Sequence, residues 1–139
     1  MKLTHLFTAI TALTLAIPAF AEEDTPLEKE MEKIGRAIKV VNRNLADAAQ
    51  KDANAAKIGD AIAACQASLK LEPKMAKDVP AAEKEKFIAD YKTGIEAMSK
   101  LFTELKAAIE AGKTDEAAKL IEKLNAGKKE GHKKFQKED

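Results

Sequence analysis

The stretch FIADYKTGIEAMSKLFTELKAAIEAGKTDEAAKLIEKL, residues 87–124, decides the fold. Its large apolar side chains, Phe87, Tyr91, Ile95, Met98, Phe102, Leu105 and Ile109, recur at helical spacings. That period lines them along one face of a helix, and nothing in the stretch alternates with the period of two that a strand requires. Gly112 then supplies the residue type that commonly ends a helix. Just beyond it, Thr114 is predicted to cap a new helix, with Asp115 and Glu116 in the first turn, where the helix dipole favours acids. Ala117, Ile121 and Leu124 continue the inner face of that helix.

The same grammar holds towards the N-terminus. Thr25-Pro26-Leu27-Glu28 reads as a capping box with proline at the first helical position. From it Leu27, Met31, Ile34, Ile38, Val41, Leu45 and Ala48 form one seam, predicting a continuous helix through Ala48. A second seam, Ala55, Ile58, Ile62, Cys65 and Leu69, stops before Pro73. The stretch EPKMAKDVPAAE, residues 72–83, holds two prolines and reads as the longest ordered connection. Four helices with one apolar face each and short to moderate connections predict an all-α fold, an antiparallel up-down-up-down four-helix bundle.

The first residues, MKLTHLFTAITALTLAIPAFA, are of a different kind. Lys2, an apolar run from Leu6 to Ile17 and the small-x-small site Ala19-Phe20-Ala21 read as a secretory signal peptide over residues 1–21. The run is too short to span a membrane, so the mature domain is expected to begin at Glu22, occupy residues 22–139 and reside in the periplasm. Without Lys2 the chain's 24 basic residues match its 23 acidic ones. A neutral, evenly mixed surface carries no electrostatic footprint for nucleic acid, and no later apolar run reaches membrane length. Cys65, the only cysteine, has no partner for an internal disulfide and lies on an apolar stripe, as a buried thiol would.

One segment breaks the pattern. NAGKKEGHKKF, residues 125–135, brings two glycines and four lysines around His132, the only histidine beyond the leader. In an antiparallel bundle the start of the first helix and the finish of the fourth share one end. Met31 lies five residues past Pro26, roughly 8 Å along the helix, and His132 a similar distance before the last helical residues. The two should therefore stand at one level on neighbouring helices. Phe87, Tyr91 and Phe135 map to the same end, and Gly127 and Gly131 share a face beside His132. Each such glycine costs about 1 kcal/mol against alanine within a helix. A soft sulfur ligand, an imidazole, aromatic walls and vacant volume suit a flat, iron-bearing macrocycle. A bare metal ion would want more than two ligands.

The residues LEKEMEKIGRAIKVV around Met31, and YKTGIEAMSKLFTELKAAIEAGKTDEAAKLIEKLNAGKKEGHKKF through His132, resemble the cytochrome b562 family over most of residues 26–136. The resemblance implies a periplasmic haem protein with Met31 and His132 as the two axial iron ligands. It places Tyr91 and Ile95 where the family sets aromatic residues against the haem. Lys128 stands where members carry arginine, and Gly131 where they carry tyrosine. Covalent attachment would need Cys-x-x-Cys-His, and this chain has Lys128 and Gly131 at the cysteine positions, so haem b, iron protoporphyrin IX, would be held non-covalently. Methionine and histidine together leave no place on the iron for substrate, so the expectation is a one-electron carrier rather than an enzyme. The expected partners are haem and redox proteins that the sequence does not name, with the chain itself a monomer. The competing reading is an exported bundle of the same fold that binds no haem and uses its apolar seam as a binding or chaperone-like surface.

Overall fold

The protein is described here from a computed structural model of residues 23–136. The expected signal peptide and its cleavage site lie outside the described residues. Four α-helices follow one another: α1 Pro26–Asn44, α2 Lys51–Ser68, α3 Ala81–Glu110 and α4 Thr114–Phe135. Among the described residues there is no strand. Short 3-10 turns, Ala48–Gln50 and Lys74–Lys77, lie in the connections before α2 and α3. The molecule is the four-helix bundle that the apolar seams predict.

The start of α1 is the predicted capping box. Thr25 Oγ1 accepts the Glu28 backbone N–H at 3.2 Å, and the Thr25 N–H donates to Glu28 Oε2 at 2.6 Å. The end of α1 differs from expectation, because the helix stops at Asn44 and does not run through Ala48. Polar side chains there offer the backbone an alternative to helix. Asp47 accepts the Ala49 N–H at 2.9 Å, and Asn54 of α2 donates to the Asn44 carbonyl at 3.3 Å. Leu45 still packs on the core, while Ala48 is exposed.

The α3–α4 turn holds a second difference. Gly112, at φ 71°, takes the left-handed conformation that a side chain would oppose. The Lys113 N–H reaches the Ala108 carbonyl at 2.9 Å and the Gly112 N–H reaches Ile109 at 3.0 Å. Those paired bonds are a Schellman closure, and they bring the chain straight into α4. Thr114 is therefore the first residue of α4 and no side chain caps that helix.

Each helix packs on its neighbours in sequence, and α1 meets α4 to close the square. The core is built from Ile34, Ile38 and Val41 of α1, Ile58 and Cys65 of α2, Phe102 and Leu105 of α3, and Ile121 and Leu124 of α4. On α2 the inner face is turned slightly from the predicted seam: Ala61 and Ala64 are buried, whereas Ile62 and Leu69 are only partly so. Cys65 is fully buried as expected, and burial pushes its thiol pKa up to about 12. It is a core side chain, inert as a nucleophile at neutral pH. Of the four helix–helix seams, α1–α4 is much the most thinly packed.

Candidate functional site in the seam between the first and last helices

One end of the bundle is fixed by the α1 capping box and by the turn Lys74–Lys77. Lys74 pairs with Glu28 at 3.0 Å, and the turn also packs on α3 and α4. The Thr25 backbone N–H, and then Lys74, hold the Glu28 carboxyl below the usual carboxylate range. Met31 follows one turn into α1. It is half-buried, with its side chain packed against the core.

The two helices approach each other at the next turn. Lys128 Nζ lies 3.8 Å from the point where a Cβ on Gly35 would stand, so the tip of the Lys128 side chain reaches Gly35 across the seam. In antiparallel helices, one turn back along α1 corresponds to one turn forward along α4. That step leads from Gly35 to Met31 and from Lys128 to His132. Met31 and His132 are therefore each one turn beyond this contact, on α1 and α4 respectively.

His132 lies on the exposed flank of α4, and the partly buried Lys128 sits one turn before it. Partial shielding of the ring, and then the Lys128 charge, lower the histidine pKa below its ordinary value. Both effects favour the neutral imidazole, the form that binds a metal. The His132 carbonyl accepts the Gln136 N–H at 3.0 Å, which closes the last turn of α4.

The predicted aromatic cluster also forms. The Phe135 ring meets Phe87 at 5.2 Å and Tyr91 at 5.6 Å between centroids, both edge-on. Such pairs add about 0.5–1.5 kcal/mol each beyond their burial. Tyr91 is buried, and its hydroxyl donates to the Ser68 carbonyl of α2 at 2.9 Å. Burial, and then Cys65, push the Tyr91 pKa up to about 12, so it remains a neutral donor. Ile95, one turn further along α3, is buried in the core. Phe102 is buried too but has no ring contact with this cluster among the described residues.

Gly127 is exposed and Gly131 half-buried, and a Cβ on either would meet no atom within 4 Å. The site is an open seam rather than an enclosed pocket, with free room on the α4 side and a bare backbone at Gly35 on the α1 side. Gly35 is the residue the sequence reading passed over. Its signal was its position four residues after Met31, which puts both on one helical face.

Met31 on α1 carries a thioether packed against the core, and His132 on α4 an imidazole of lowered pKa. Among the described residues no three His, Cys, Asp or Glu side chains group so as to hold a metal ion. No helix among them is long and apolar enough to cross a membrane. No curated protein matches the chain. A family model described as cytochrome b562 matches residues 26–136.

Proposed function

Because the chain belongs to the cytochrome b562 family, haem-binding electron-carrier bundles, we propose that it holds one haem b through Met31 and His132. The observation that carries this reading is the reach of Lys128 of α4 to Gly35 of α1 in the thinnest seam of the bundle, with Met31 and His132 each one turn away on its own helix.

The residues fit the group. The seam has spare room, one donor is half-buried, and the surroundings of the other lower its pKa, which favours the neutral imidazole. When bound, haem supplies a ferric–ferrous couple, the one-electron chemistry that the polypeptide lacks. Met31 contributes a soft ligand that favours the reduced iron and so raises the potential. His132 contributes the stronger ligand, and its second ring nitrogen needs an acceptor to fix the tautomer. Were both side chains to hold the iron, no position on it would be left for a substrate. Tyr91 and Ile95 furnish apolar walls, and Lys128 places a cation at the α1–α4 rim. Lys128 and Gly131 stand where thioether attachment would need cysteine, so attachment is by ligation and packing alone.

In this reading the chain is exported, cleaved after Ala21, and works in the periplasm as a monomer that passes electrons between redox partner proteins. Intact mass of the exported protein is expected to correspond to a start at Glu22; a mass that retains residues 1–21 would refute cleavage. Reconstitution tests the function itself. Added haemin is expected to bind stoichiometrically and to cycle between oxidised and reduced spectra. A chain that stays colourless with haemin would instead support the haem-free bundle.

A further inference from the structure

We infer that Gly35 is a haem-binding residue, the position on α1 whose missing side chain admits the edge of the macrocycle beside Met31. This inference rests on the haem reading and adds to it a residue that decides what the seam will accept.

Three observations converge on Gly35. First, it points into the seam, because the direction of its absent Cβ leads to Lys128 Nζ at 3.8 Å. Second, nothing in the backbone calls for glycine. It lies inside α1, and Gly112 alone among the described glycines has positive φ. Alanine or leucine would form the helix better there. Third, packing of the ligand-free protein does not call for it either, since a Cβ would meet only the flexible tip of Lys128 at ordinary contact distance. Gly59 is equally unrequired, so what distinguishes Gly35 is its place, on the face of Met31, one turn from it, and against the α4 side chain Lys128, where a missing side chain leaves volume for a guest. A tetrapyrrole is wider than one helical turn of about 5.4 Å, so a ring held at Met31 would need room at this level. A branched side chain at position 35 would enter that space and the room that the Lys128 ammonium occupies.

Gly59 provides the control. It lies within α2, a Cβ there would also meet nothing within 4 Å, and it is not part of the α1–α4 seam. The experiment is haemin titration of the wild type, Gly35→Leu, Gly35→Ala and Gly59→Leu, together with thermal melts of each ligand-free protein. Ligand-free Gly35→Leu is expected to melt at or above wild type, while its Kd for haemin rises about tenfold or more. Gly59→Leu should bind haemin as wild type does. If Gly35→Leu binds haemin like wild type, the inference is overturned while the haem reading stands. If Gly35→Leu melts well below wild type, Gly35→Ala decides: weakened haemin binding at an unchanged melt upholds the inference, and unchanged binding overturns it. A wild-type chain that binds no haemin removes both.

Discussion

In the proposed haem site, ligation by His132 depends on the protonation of one imidazole. His132 is held below its ordinary pKa by partial shielding and by Lys128 one turn away. The sign follows directly. A base with a depressed folded pKa binds its proton more readily in the unfolded chain, so its contribution to stability is complete above the ordinary histidine range. That contribution is lost as pH falls through the depressed value. A bound metal competes with the proton for the same lone pair, so release of a ligated imidazole should require lower pH still. Lys128→Gln removes one of the two causes and should raise the His132 pKa in the ligand-free protein. An NMR titration of the imidazole protons reads this, and a pKa that stays put or falls would show that Lys128 does not act on the histidine. His132 was conspicuous in the sequence as a lone histidine among lysines and glycines. Gly35 was not, because the meaning of a missing side chain appears only once its opposite residue, Lys128, is known.

At the scale of the element, α1 carries the thioether and its capping box sets where that helix begins. Thr25→Ala removes the acceptor for the Glu28 N–H and should cost about 1 kcal/mol, read as a lower melting temperature. The reciprocal half of the box depends on pH. Glu28 is held below the usual carboxylate range by the Thr25 N–H and then by Lys74. Its contribution is therefore present above the ordinary carboxylate pKa and fades as pH falls through the depressed value. The difference in melting temperature between wild type and Glu28→Gln should be largest near neutral pH and shrink in acid; a gap that persists unchanged at pH 3 would contradict this. The cap was legible because it is local, a proline and a glutamate at fixed offsets from a threonine. The early end of α1 was not, because it depends on Asn54, a residue of the next helix that donates to the Asn44 carbonyl. The start of α4 was misread for a related reason: the Schellman bonds of Gly112 and Lys113 carry the chain into α4 without a side-chain cap. Periodicity reports which face is buried, whereas helix ends answer to bonds with other segments.

At the scale of the whole molecule, three seams are well packed and the fourth, α1–α4, is thin. A ligand that binds only the folded state stabilises it by about 4 kcal/mol at a thousandfold excess over Kd. If that ligand sits in the α1–α4 seam, the gain in order must be local. Hydrogen exchange on addition of haemin should slow in residues 27–36 and 124–135 well before it changes along the α2–α3 seam; uniform slowing, or none near α4, would place the ligand elsewhere. The bundle itself was legible from the apolar seams of the sequence, and the shared end of Met31 and His132 followed from antiparallel order. Room on the α4 side was legible from Gly127 and Gly131, whereas the thinness of the whole α1–α4 seam was not, because it depends on how both helices pack once each has turned its apolar face to the core.

Whether Met31 and His132 together hold the iron is read from the visible spectrum of haemin-reconstituted wild type beside Met31→Ala and His132→Ala. Wild type is expected to give a low-spin spectrum. Met31→Ala is expected to give a high-spin or water-ligated spectrum, with haem still bound through His132, and His132→Ala a much weaker complex because imidazole is the stronger ligand. Wild-type low-spin spectra from both variants would contradict this ligation, and would make Met31 a core methionine and His132 a surface histidine.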